Sequence, residues 1–269
     1  MARRNFYEII KNTRINITKE YSRINELFES TDSGQSVRDM IEDAFFMFPK
    51  SFRGRTISLD DFDETFGFRK RMLIGEVSLE EFLLRCEYII NLCIQLNKVY
   101  GSHIGDDDQY NLRILKETID ESIDEIGFMK TKVDGFVILV EKDAAVISVV
   151  ETIPEQLVAP VFEYNHYRLK GDLISKRKIL KEMADNIEPE RKLLKQVNST
   201  LETQLFQLLN KFVRHDHSQT PYILTLDKKY IEEVYDDIYQ LWLLAKLEID
   251  NIERKNKMKE LLNAINGSK

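Results

Sequence analysis

"DGFVILVEKDAAVISVVE", residues 134–151, is β-branched and apolar in a chain otherwise patterned for helices. Val, Ile and Phe at this density suit a pleated, half-buried strand. Lys142 and Asp143 interrupt the run near its middle. The pattern predicts a β-hairpin over 134–151 that turns near Lys142 and Asp143. The hairpin also divides the chain. Residues 1–130 read as an N-terminal helical region, and 131–269 as the hairpin followed by a C-terminal helical bundle. The fold class predicted is mainly α.

Working back from the hairpin, Leu112, Leu115, Ile119, Ile123 and Ile126 recur at helical spacing and predict a helix over 107–126. Before it, Ser78 and Glu81 form a capping box that starts a helix running to about Val99. Residues 50–75 read as irregular, and "VRDMIEDAFFMF" reads as a helix stopped before Pro49. Phe6, Ile9, Ile10, Ile17, Tyr21, Ile24 and Phe28 predict another over 5–29. Working forward, Thr152 and Pro154 open a helix, a second starts at 171, and Glu188 with Pro189 starts a third that reaches Asn210. Asp227 caps a last, long helix with Ile231, Val234, Ile238, Trp242, Leu243 and Leu247 on its apolar side.

Composition narrows the function classes. The chain has 269 residues, 32% of them charged, with only 10 Gly and 5 Pro, a balance that favours long amphipathic helices over a sandwich. A net charge of −7 argues against a general nucleic-acid binder. Cys86 and Cys93 lie on one side of one helix, about 10 Å apart along its axis, too far for a disulfide. They are expected to be buried thiols in a reducing cytoplasm. No secretory leader or membrane span is expected. Walker, dinucleotide-binding and nucleophile-elbow motifs are absent from the sequence, so no cofactor is expected. The acidic runs at 60–64 and 106–108 lack the EF-hand spacing and read as helix caps or solvated loops.

Two stretches carry candidate chemistry. Residues 164–195 hold nine basic residues against five acidic ones, a stripe able to meet phosphates or, alternatively, a solvated helix face. "LLNKFVRHDHSQTP", 208–221, gathers Asn210, Arg214, His215 and His217 at a helix end. His215 and His217 form an H-x-H pair, but a zinc site needs three or four ligands and no second cluster exists in the sequence, so no metal is expected. A neutral imidazole beside a guanidinium is instead suited to metal-independent RNA cleavage: the imidazole takes the 2′-hydroxyl proton and the arginine stabilises the phosphorane. The alternative reading is a polar helix end.

The C-terminal half, "VVETIPEQLVAPVF…YRLKGDLISKRKILKEMADNIEPERKLLK…LFQLLNKFVRHDHS", resembles bacterial abortive-infection proteins with a HEPN-type helical domain, AbiJ-like ones included. The resemblance covers about 134–250. It implies a HEPN-like bundle, a homodimer, and a ribonuclease site of Arg214 and His217, with His215 and Asn210 as helpers, where two protomers meet. The family pattern places four to six residues between Arg and His; here two separate Arg214 from His217. Two functions are therefore expected as alternatives: a metal-independent RNase or toxin acting on RNA in anti-phage defence, or a non-catalytic adaptor or sensor that binds another defence protein.

Overall fold

The structure is a computed structural model that describes residues 15–68, 76–101, 103–215 and 221–267. It is mainly helical with one small two-stranded antiparallel sheet. The chain forms two compact units, residues 1–130 with 135–139, and 131–134 with 140–269.

In the first unit, α1 (Ile17–Glu29) starts at Asn16, whose side chain accepts from the Lys19 amide. The predicted positions Phe6, Ile9 and Ile10 lie outside the described residues. Ser36 caps α2 (Val37–Ala44), which tightens into a 3₁₀ turn over Phe45–Met47 before Pro49. The stretch expected to be irregular instead holds two short helices, α3 (Lys50–Arg53) and α4 (Leu59–Phe66). The reason is local. Ser58 accepts from the Asp61 amide, Asp60 and Asp61 sit in the positive first turn, and Gly67 closes the helix in the left-handed region. The capping box of Ser78 and Glu81 starts α5 (Leu79–Tyr100), and α6 (Asp106–Glu125) follows. α1 packs on α2, α5 and α6. Phe45, Phe48, Phe62 and Tyr88 cluster ring against ring in the core.

A charged network threads this core. The Arg38 guanidinium donates to Asp63 and Asp60, each at 2.7 Å. Buried Asp63 also accepts from the Tyr88 hydroxyl, and burial together with that carboxylate pushes the Tyr88 pKa well up. Arg85 is buried beneath the rings of Phe28, Phe68 and Tyr88 and donates to Asn25 at 2.7 Å. Cys86 and Cys93 are free and buried, and burial pushes both thiols up, Cys93 to about 12.

The hairpin is present, but its register differs from the expected one. Its strands are β1 (Phe128–Val133) and β2 (Phe136–Glu141), and it turns at Asp134–Gly135. Both turn residues have positive φ, 49° and 84°, as a type I′ turn requires. Lys142–Asp143 is not the turn. Asp143 is the N-cap of α7 (Ala144–Val150), accepting from the amides of Ala145 and Val146. The β-branched run after it is helical because the cap sets the first turn and Val146 and Val149 bury a three-residue repeat. The outer edge of β2 is held by side chains of α5. Asn91 accepts from the Val137 amide at 2.9 Å and donates to its carbonyl at 2.8 Å, and Glu87 accepts from the Leu139 amide at 2.6 Å.

In the second unit, α7 leads to α8 (Glu155–Tyr164) and then α9 (Leu173–Ile187), capped by Asp172. The expected single helix from 188 to 210 is broken in two. A 3₁₀ turn (Glu188–Glu190) runs into α10 (Arg191–Val197), and Asn198 leaves helical geometry at φ −146° to cap α11 (Ser199–Leu208) through the Leu201 amide. A π-helical turn, Leu209–Arg214, ends this segment. After the short α12 (Pro221–Leu224), Asp227 accepts from the Tyr230 amide and opens α13 (Lys228–Gly267). α7, α9, α10 and α11 all pack on α13. Its fully buried Trp242 donates to the Met183 carbonyl at 2.8 Å.

Candidate functional site

The π turn presents the residues that the sequence singles out. Leu209, Phe212 and Val213 point into the core, which leaves Asn210 half-buried, Arg214 partly exposed and His215 exposed. The His215 amide donates to the Asn210 carbonyl, closing the turn. His217 lies outside the described residues, so the Arg214–His217 pairing does too.

Arg214 is engaged. Its guanidinium is bonded to the Glu188 carboxylate, donates to the Ala184 carbonyl at 2.8 Å and reaches Asp185 at 3.5 Å. Arg177 of α9 answers in the opposite direction, donating to the carbonyls of Val213 at 3.0 Å and His215 at 2.7 Å. Each arginine thus occupies carbonyls that the end of the other's helical segment leaves unpaired. The two elements are latched to each other through their C-terminal ends.

The basic stretch of 164–195 divides in the same way. Lys176 is 6% exposed and bonds Glu232 and Asp236, each at 2.8 Å. Arg191 bonds buried Glu202 at 2.6 Å and covers the Phe206 ring. Arg168, Lys170, Lys178, Lys181, Lys192 and Lys195 remain exposed.

Two features were not anticipated from the sequence. One is the network around Lys176. Tyr164 stacks on Tyr239 at 4.1 Å and donates to Asp236 at 2.9 Å, and burial, reinforced by Asp236, pushes its hydroxyl pKa far up. Lys246 makes a parallel pair with Glu190 at 2.7 Å. The signal was present: Lys176 and Lys246 fall on the apolar stripes of their helices, where a charge must find a partner. The other feature is a groove of about 720 Å³ beside α13, lined by Ala145, Leu208, Leu241, Leu244 and Leu247 with a polar rim that includes Gln240 and Lys211. Among the described residues, no group of three His, Cys, Asp or Glu side chains is placed to hold a metal ion, and no helix is long and apolar enough to cross a membrane.

Carboxylates held below their ordinary range set an acid limit for this unit, Glu232 beside the Gly171 amide and Lys176 among them. The Arg191 hydrogen bond holds Glu202 below the ordinary carboxylate range, and the hydroxyl and amide of Ser175 do the same for Asp172. Groups with lowered folded pKa values stabilise fully above the unfolded-chain values of about 4, and that contribution is lost as pH falls through the folded values. Thermal melts should therefore be flat in this respect above about pH 4.5 and fall below it. Glu202→Gln should flatten that acid slope, as circular-dichroism melts across pH would measure; an unchanged slope would remove Glu202 from the account.

Compared with known protein families, curated proteins and solved structures, the chain matches none.

Proposed function

We propose that this chain is a non-catalytic helical interaction protein, an adaptor or sensor subunit of a bacterial defence complex built on a degenerate HEPN-like bundle. The observation that supports this reading is the bonding of Arg214. A guanidinium that stabilises a phosphorane has to be free to meet charge as it develops. The Arg214 charge is met by Glu188, and its remaining donors are turned to Ala184 and Asp185. Its role is to fasten the π turn to α9. The exposed lysines of α9 and α10 are a surface for a protein partner.

A metal-independent RNase or toxin, homodimeric and acting on RNA through Arg214, His217, His215 and Asn210, is the second reading. The π turn itself favours it, since such turns concentrate at functional sites. The experiment that separates the two is expression of wild type and His217→Ala in a bacterial host, with and without phage challenge. Growth and total RNA are then compared. The adaptor reading expects intact RNA and equal growth for both. RNA cleavage by wild type that His217→Ala abolishes would establish the nuclease and overturn the adaptor.

A further inference from the structure

We propose that the C-terminal part of α13 is a self-association element. It pairs antiparallel with the same segment of a second copy, so that the tail of each copy covers the groove of the other. This goes beyond the functional reading above and stands on the tail and groove alone.

α13 runs 40 residues, but only its first half is packed. Every residue described from Arg254 to Ile265 is exposed. An isolated helix of that length is marginal in water. The exposed stretch is also not polar all round. Met258, Leu261, Leu262 and Ile265 recur at three- and four-residue spacing, and their exposures run from 50% to 58%. That is an amphipathic stripe that the described residues leave exposed. Continued back by heptads it meets Leu247 and Leu244, and Leu244 is itself 45% exposed at the lip of the 720 Å³ groove. The tail stripe and the groove therefore lie on one face of α13, with Asn251 and Arg254 between the two apolar stretches.

Charge indicates what covers that face. Beside the stripe lie Glu248 and Asp250 in its first part, Asp250 also paired with Arg254 at 2.7 Å, and Lys255 and Lys257 in its second. An antiparallel overlay with the two-fold axis near residues 252–253 sets Leu244 against Leu261 and Leu247 against Met258 of the second copy. The same overlay sets Glu248 against Lys255 and Asp250 against Lys257. Each pairing occurs twice by symmetry, as an isologous contact requires. The seam from Leu244 to Ile265 is about 30 Å long. Ile265 of each copy then reaches Gln240 at the groove of the other. A parallel pairing would place Arg254 against its own copy in the seam and leave both grooves open. Asn251 opposite Arg254 makes a polar layer at the centre, which fixes register at some cost in stability.

The full chain tests this by sedimentation equilibrium at tens of micromolar. Wild type should be a dimer. Lys255→Glu with Lys257→Glu should weaken association about ten-fold or more while leaving the thermal melt of the chain unchanged. Glu248→Lys with Asp250→Lys should do the same alone, and the two variants mixed should recover a one-to-one heterodimer. Oxidation of a Leu247→Cys chain mixed with a Met258→Cys chain should give the mixed disulfide. A monomeric wild type, a dimer indifferent to these charge reversals, or disulfide formation by the Met258→Cys chain alone would overturn the proposal.

Discussion

Trp242→Ala is expected to destabilise the second unit by about 3–5 kcal/mol, the largest loss available from a single truncation there. Trp242 is fully buried in the packed first half of α13, and its indole N–H is the donor to the Met183 carbonyl of α9 at 2.8 Å. The change removes most of the side-chain volume and leaves a cavity between helices that cannot close over it. It also leaves the carbonyl without its indole partner. Trp242→Phe separates the two effects. It keeps much of the ring packing and loses the donor, so its cost should be clearly smaller. Urea unfolding followed by circular dichroism would measure both. Equal losses for Ala and Phe would show that the hydrogen bond, not the volume, carries the effect.

Asp63→Ala should destabilise the first unit by a similar amount, about 3–5 kcal/mol, through electrostatics rather than volume. The buried carboxylate accepts from Arg38 and from Tyr88. Removing it leaves the Arg38 charge without its best-buried partner and the Tyr88 hydroxyl without an acceptor. Tyr88→Phe alone should cost much less, on the order of 1 kcal/mol, because Asp63 keeps its guanidinium. The double variant should cost less than the sum of the two, and a double-mutant cycle would read that coupling. Additive losses would mean that the hydroxyl and carboxylate do not act together.

What was legible in the sequence was what short-range chemistry decides. The Ser78–Glu81 box, the Asp227 cap and the spacing of Leu112, Leu115 and Ile119 each depend on neighbours within one or two turns, and each is where it was expected. The hairpin shows the limit of that reasoning. Apolar β-branched residues run through 134–151 on both sides of Lys142–Asp143, so the polar interruption there placed the turn. The decisive signal was Asp134–Gly135, two residues suited to positive φ, with Asp143 serving as a cap. Asn198 was missed for the same reason, since a capping asparagine inside a long periodic stretch looks like one polar position among many. The candidate site was less legible still. Arg214 finds Glu188, 26 positions away, only once α9 and the π turn lie side by side. Spacing along the chain could nominate a guanidinium but not reveal that a carboxylate had already claimed it.

The clamp that Asn91 and Glu87 place on β2 has a directional consequence. An incoming peptide that sought to extend the sheet would find Val137 and Leu139 already bonded by amide and carboxylate side chains. Growth is left to β1, whose residues include Lys130, tied to Asp120 at 2.7 Å, and Lys132. Charged residues on a free edge discourage fibril-like stacking. The ribbon is in effect sealed against polymerisation on one side and guarded by lysines on the other, so the hairpin at the chain's midpoint is not itself an open template for aggregation.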